Sequence, residues 1–218
     1  MGVSLSTATP PLLYGLGRAN GGRIGLLGGS FNPAHEGHLH ISRLALQYLR
    51  LDAVWWLVSP QNPLKSAADM APFAARFASA KAMARHPRIA PTDLETRFGT
   101  RYTADTLAAL RRAFPGTRFV WLMGADNLIQ LPRWARWQTI AATVPIAVWG
   151  RPTYSMRAML GKAAQRYARN RVPLEAAGQL ALSEPPAWTF LPIRLHSASA
   201  TALRRAGRSP ALSGGPNR

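Results

Sequence analysis

Residues 26 to 38, LLGGSFNPAHEGH, place two glycines, a proline and two histidines behind a run of aliphatics. An apolar strand ending in Gly28 and Gly29 lets backbone approach a ligand closely, and a helix opening just beyond it offers N–H groups and partial positive charge to an anion. His35 and His38 stand three positions apart, so at helical spacing both imidazoles share one face of the first turn and form a pair of donors for one anion. Two other chemistries fit less well. In HEGHL, Leu39 occupies the place where a His-Glu-x-x-His zinc helix needs its second histidine, and GLGRAN at 15–20 lacks the third glycine of a dinucleotide fingerprint and the strand before it. His38 and His40 point to different sides of a helix, so the three histidines do not converge on a metal. No protein-held metal site is expected.

The elements that must position this motif alternate strand and helix from Arg23 onward. RIGLLGG reads as a strand, HLHISRLALQYLRL as a helix with apolar residues at helical spacing, and AVWWLVSP as the next strand, which together make a right-handed β-α-β crossover. A polar loop leads to a helix from about Phe73 to Arg85, and RIAPTDLE reads as a strand interrupted by Pro91. TADTLAALRRAF is a helix with Thr103 as N-cap and Pro115-Gly116 as its stop. RFVWLMG, VPIAVWG and WTFLPIRL supply three more strands, WARWQTIAA a helix between the first two, and SATALRRAG a short helix near the end. Residues 151–186 are rich in arginine, partly helical, and expected to form an insertion. The pattern predicts an α/β fold, a Rossmann-like doubly wound parallel sheet in a single domain over residues 23–207. A flexible leader (1–22) and a flexible tail (208–218) flank it. Ligands of such sheets sit at the carboxyl ends of the strands, where Gly28 and Gly29 fall.

Composition narrows the classes further. The chain has 218 residues, 47% of them hydrophobic, enough for one sizeable core. It has no cysteine, which removes disulfides, thiolate metal sites and cysteine nucleophiles together. No run of roughly 18 apolar residues argues for a membrane span, and the leader lacks the charge and apolar core of a secretory signal. A cytoplasmic protein without a membrane partner is expected. The 27 basic residues against 9 acidic give +18, a field that draws phosphates of any kind, from mononucleotides to nucleic acid. All but Lys65, Lys81 and Lys162 of these are arginines, and they are scattered along the chain. A basic nucleic-acid-binding protein is therefore the non-enzyme alternative. It predicts clustered basic residues with exposed aromatics, whereas the tryptophans here lie mostly in strand or helix patterns.

The whole stretch Gly-Gly-Ser-Phe-Asn-Pro-Ala-His-Glu-Gly-His resembles the signature of the nucleotidyltransferase superfamily, in which a His or Thr followed by x-Gly-His contacts the phosphates of a nucleoside triphosphate. Three further segments, LETRFGTRYTADTL (94–107), FVWLMGADNLIQLPRWARW (119–137) and SASATALR (197–204), resemble in order and spacing those of bacterial nicotinate-nucleotide adenylyltransferases. The resemblance spans residues 24–205. It implies adenylyl transfer from ATP to nicotinate mononucleotide, giving nicotinate adenine dinucleotide and pyrophosphate, with Mg²⁺ accompanying ATP. Nicotinamide mononucleotide and phosphopantetheine stand as alternative acceptors.

By this resemblance His35 and His38 are the catalytic pair. Gly28, Gly29, Ser30, Phe31, Gly124, Asp126, Ser199, Thr201 and Arg204 join them in binding ATP, with Asp126 on a ribose and Arg204 reaching the outgoing pyrophosphate. Lys65, Tyr102, Thr103 and Trp134 would bind the acceptor. An indole face suits a flat pyridine ring, and backbone N–H groups near Tyr102 and Thr103 suit its carboxylate. Trp137, at i+3 from Trp134, is read as core, and Asp105 as a partner for a helix dipole. Ala198 stands where the family usually has Ile.

Overall fold

A computed structural model describes residues 21–60, 70–150 and 154–192. Six parallel strands form one sheet in the order β3-β2-β1-β4-β5-β6. They are β1 (Arg23–Gly29), β2 (Ala53–Val58), β3 (Ile89–Thr92), β4 (Arg118–Gly124), β5 (Ile146–Trp149) and β6 (Trp188–Leu191). The doubly wound α/β reading is borne out, with β1 paired to β2 on one side and β4 on the other.

Both faces of the sheet are covered, which is why AVWWLV in β2 is apolar throughout and buried at every position. Successive side chains still alternate. Ala53, Trp55 and Leu57 face a core completed by α4 (Thr103–Ala113) and α6 (Trp137–Thr143), while Val54, Trp56 and Val58 face a second core completed by α1 (Glu36–Tyr48). Residues expected to form an insertion are partly helical where described, and they contribute to both cores. Ala163 and Ala164 of a short helix (Lys162–Arg166) join the first, and Ala177, Leu180 and Ala181 of a 3₁₀ stretch (Leu174–Leu182) join the second. Burying a Leu- or Val-sized side chain in such a core stabilises the fold by roughly 1.5–3 kcal/mol.

Several boundaries differ from the sequence reading for local physical reasons. Pro91 lies inside β3, which tolerates it because β3 is an edge strand and needs hydrogen bonds on one side only. The rest of RIAPTDLE turns into the one-turn helix α3 (Leu94–Arg97). The helix α2 spans Phe73–Met83. At the start of α4 the N-cap is Tyr102, not Thr103, and no side chain caps it. WARWQTIAA is not one helix: Leu131–Arg133 is a 3₁₀ turn, Trp134 follows in extended conformation, and α6 starts at Trp137 after Arg136 takes a left-handed φ of 53°. The leader, the tail and the expected helix SATALRRAG lie outside the described residues.

A buried relay ties α1 to the sheet. Trp56 donates its indole N–H to Ser42 Oγ at 2.7 Å, and Ser42 donates to the carbonyl of His38 at 2.8 Å. Ser42 is fully buried, so removing its hydroxyl strands the Trp56 N–H in an apolar core. Ser42→Ala is expected to lower stability by about 1–3 kcal/mol, measured as a shift in the urea midpoint at unchanged slope.

Candidate active site

The turn after β1 is built around a strained residue. Phe31 has a φ of 46°, a left-handed conformation that costs free energy for any residue with a Cβ. Packing holds it there. The whole residue is 1% exposed, and its ring stacks on Trp56 at 5.1 Å and supports the imidazole of His38 at 4.6 Å. Phe31 therefore shapes the turn from within, outside the cavity lining.

His35 is the N-cap of α1 and His38 its third residue. The two cap the helix reciprocally: Gly37 N–H donates to His35 Nδ1 at 3.1 Å, and His35 N–H donates to His38 Nδ1 at 3.2 Å. A neutral ring whose Nδ1 accepts carries its proton on Nε2, so the cap fixes both tautomers and makes each Nε2 a donor. The ring centroids are 3.9 Å apart. The expectation that both histidines serve one locus fits this geometry.

Beside this turn, at the carboxyl ends of the strands, lies a cavity of about 500 Å³. Its lining joins Gly28, Gly29 and Ser30 from the β1 exit to Tyr102 and Thr103 at the start of α4, and to Asp126 and Trp134 from the segments after β4. Among the described residues, His35 and His38 do not line it; they continue from Ser30 and Phe31 into α1. Gly28 is required by close approach, since a Cβ there would stand 2.5 Å from Cη2 of Trp121, which also lines the cavity. Trp134 meets Trp121 edge to face at 6.4 Å, and the indole N–H of each is buried with no acceptor among the described residues. Trp137, 8% exposed, belongs to the core. The two tryptophans part company because the chain leaves helical conformation between them.

Asp126 stands in the first turn of α5 (Ala125–Gln130), whose N-cap is the buried Gly124. Gly124 positions that turn without lining the cavity. At the α4 start, Asp105 and Thr106 donate their N–H groups to the carbonyl of Tyr102, and no side chain caps the earlier ones. Asp105 has a further partner: Arg136 reaches it at 2.5 Å, linking the loop that carries Trp134 to α4.

Comparison with known proteins agrees with this geometry. The cytidylyltransferase-like family model matches residues 26–206. A Parvibaculum lavamentivorans protein named "Probable nicotinate-nucleotide adenylyltransferase" is 60% identical over 187 residues, covering 85% of this chain and 92% of its own length. A Cereibacter sphaeroides protein of the same name is 56% identical, covering 85% of this chain and 98% of its own length. The chain belongs to the nicotinate-nucleotide adenylyltransferase family. It is a nucleotidyltransferase. The fold is shared with the Plasmodium falciparum nicotinic acid mononucleotide adenylyltransferase complexed with NaAD, at a TM-score of 0.62 and 16% identity, covering 84% of this chain and 83% of that one.

For a nicotinate-nucleotide adenylyltransferase, the expected site residues thus fall into three groups. Gly28, Gly29, Ser30, Tyr102, Thr103, Asp126 and Trp134 meet in the cavity; His35, His38, Phe31 and Gly124 build or flank its edge; Lys65, Ser199, Thr201 and Arg204 lie outside the described residues. Sequence reasoning missed Ser59, Glu95, Arg101 and Arg133 in the lining. Arg101 and Arg133 are exposed cations at the edge, lost among the many scattered arginines. Glu95 carried no signal because its burial, at 9% exposure, is a tertiary fact.

Burial pushes the Glu95 carboxyl up from the ordinary 4.5 to about 7, against a hydrogen bond with Ser59 that lowers it. The folded protein therefore binds a proton more tightly than the unfolded chain does. Its stabilising contribution is complete below pH 4.5 and is lost as pH rises through 7. Glu95→Gln should remove this slope, making the variant gain on the parent by up to about 3 kcal/mol between pH 4.5 and pH 8 in urea titrations. A parallel pH dependence in parent and variant would contradict it.

Proposed function

We propose that the cavity and the histidine-capped helix together carry out adenylyl transfer from ATP to nicotinate mononucleotide, yielding nicotinate adenine dinucleotide and pyrophosphate. The observation that carries this reading is one cavity with two unlike ends. A glycine-walled strand exit beside a helix N-terminus suits phosphates, and an indole opposite an uncapped helix start suits a pyridine bearing a carboxylate. Its volume falls in the usual range for small-molecule sites.

In the reaction a 5′-phosphate oxygen of nicotinate mononucleotide attacks the α-phosphorus of ATP, a P–O bond forms, and the bond to the β-phosphate oxygen breaks. No protein nucleophile is needed. The enzyme aligns two anions and neutralises charge on the transferring group. Nε2–H of His38 and of His35 donate to phosphate oxygens, held in that tautomer by the reciprocal cap. Backbone N–H groups of the turn after Gly29 add further donors, and Asp126 accepts from a ribose hydroxyl. Ser199, Thr201 and Arg204 are assigned to the triphosphate, and Lys65 to the acceptor phosphate, by their places in the family pattern.

The donor set also fits Mg²⁺ arriving on the nucleotide. Among the described residues no three histidine or acidic side chains gather to hold a metal, and Mg²⁺ commonly keeps water and substrate phosphate ligands with one or two carboxylates. Bound there, it would neutralise triphosphate charge. The net charge of +18 favours encounter with both polyanionic substrates. No helix among the described residues is long and apolar enough to cross a membrane, and we place the reaction in the cytoplasm, where ATP is abundant.

Pyrophosphate release on mixing the protein with ATP, Mg²⁺ and nicotinate mononucleotide tests the reading directly. His38→Ala should lower kcat on the order of 10²- to 10³-fold with folding intact, as loss of one preorganised donor does elsewhere. A near-parental rate would remove His38 from the mechanism. In competition, nicotinate mononucleotide should react in preference to nicotinamide mononucleotide; equal use of both would show that the α4 start does not read a carboxylate.

A further inference from the structure

Arg76 is a buried cation in α2, 2% exposed, and no carboxylate among the described residues pairs with it. Its guanidinium is satisfied by four backbone carbonyls. Nε donates to Ala71 at 2.9 Å, one terminal nitrogen to Ser30 at 2.6 Å and to Ser59 at 2.8 Å, and the other to Pro60 at 2.9 Å. One side chain thereby ties the exit of β1, the exit of β2 and the entry of α2 together.

Two more bonds brace the same turn against α2 and its entry. Ala71 N–H donates to Asn32 Oδ1 and Ala34 N–H to Ser79 Oγ, each at 3.3 Å. The turn from Ser30 to Ala34 is therefore held at three points, by Arg76 and Ser79 of α2 and by Ala71 just before it, and only Arg76 is charged.

The Ser30 contact has a directional consequence. In a trans peptide the C=O and N–H point opposite ways, so drawing the Ser30 carbonyl onto Arg76 turns the Phe31 N–H away from α2. No described residue accepts from that N–H. Ser30 and Ser59 both line the cavity, so their carbonyls, which would repel a phosphate, are drawn onto the guanidinium.

We propose that Arg76 is the positioning residue of the phosphate cradle: its four-carbonyl clamp fixes the Ser30–Phe31 peptide at the cavity wall, draws the Ser30 and Ser59 carbonyls away from an incoming triphosphate and places an unneutralised positive charge behind the turn. The proposal rests on the adenylyl-transfer reading above. Arginine suits the task because a planar fork reaches several carbonyls in fixed directions and stays charged when buried, whereas lysine offers one point of attachment.

The clamp touches the β1 and β2 exits and none of Tyr102, Thr103 or Trp134, which predicts a one-sided defect. Arg76→Lys and Arg76→Met in the full chain are compared with the parent by steady-state pyrophosphate release, varying ATP and nicotinate mononucleotide separately, and by thermal unfolding. Expected is a loss on the ATP side, as a kcat lower by about 10- to 100-fold or a raised KM for ATP, with KM for nicotinate mononucleotide within about twofold of the parent. Arg76→Lys should recover part of the loss.

Parent-like kinetics in both variants, or equal loss of affinity for the two substrates, would overturn the clamp. Failure of both variants to fold would overturn it too, by making Arg76 a folding residue. A parent protein that releases no pyrophosphate would instead defeat the functional reading.

Discussion

The sheet order reverses between β1 and β4, and the site depends on that reversal. The chain leaves β1 toward α1 on one face and leaves β4 toward α5 on the other, so the two exits diverge and a crevice opens above the strand ends. One wall of it depends on a missing side chain. With glycine at 28, Trp121 on the neighbouring strand lies directly against the β1 backbone, and the indole becomes part of the cavity lining. Any larger residue there would displace Trp121 and, through the edge-to-face contact, Trp134.

Much of this was legible in the sequence, because parallel strands buried on both faces leave continuous apolar runs. RIGLLGG and RFVWLMG match β1 and β4 residue for residue. The turn-and-histidine motif was legible for a related reason: glycines, Phe-x-Pro and spaced histidines constrain backbone and donors within one short segment. What escaped depends on contacts between distant segments. Arg76 and Glu95 look like surface charges in FAARFASAKAM and LETR, and only the packing of α2 and α3 onto the β2 exit buries them. Trp134 and Trp137 have helical spacing. The left-handed Arg136 between them, held by an ion pair to a helix 31 residues earlier, sends one to the cavity and the other to the core.

The two ends of the cavity are held by forces of very different strength. At the β1 exit, strain at Phe31 is opposed by its own burial, by stacking on the buried Trp56 and by the clamp of the buried Arg76, with the half-buried His38 also against the ring. Such contacts persist in salt and yield only with the core. At the Trp134 end, strain at Arg136 is opposed by its pair with Asp105, in which both side chains remain half exposed, 53% and 41%. Exposed pairs of this kind contribute little and weaken as ionic strength rises. On the proposed reading the β1 exit is the phosphate end, and its buried contacts suit the alignment that in-line displacement requires, while the segment carrying Trp134 is held by the weaker pair. If Trp134 holds the pyridine ring as proposed, this asymmetry puts the weaker contacts beside the ring that must be admitted and released, and the stronger ones beside the atoms that react.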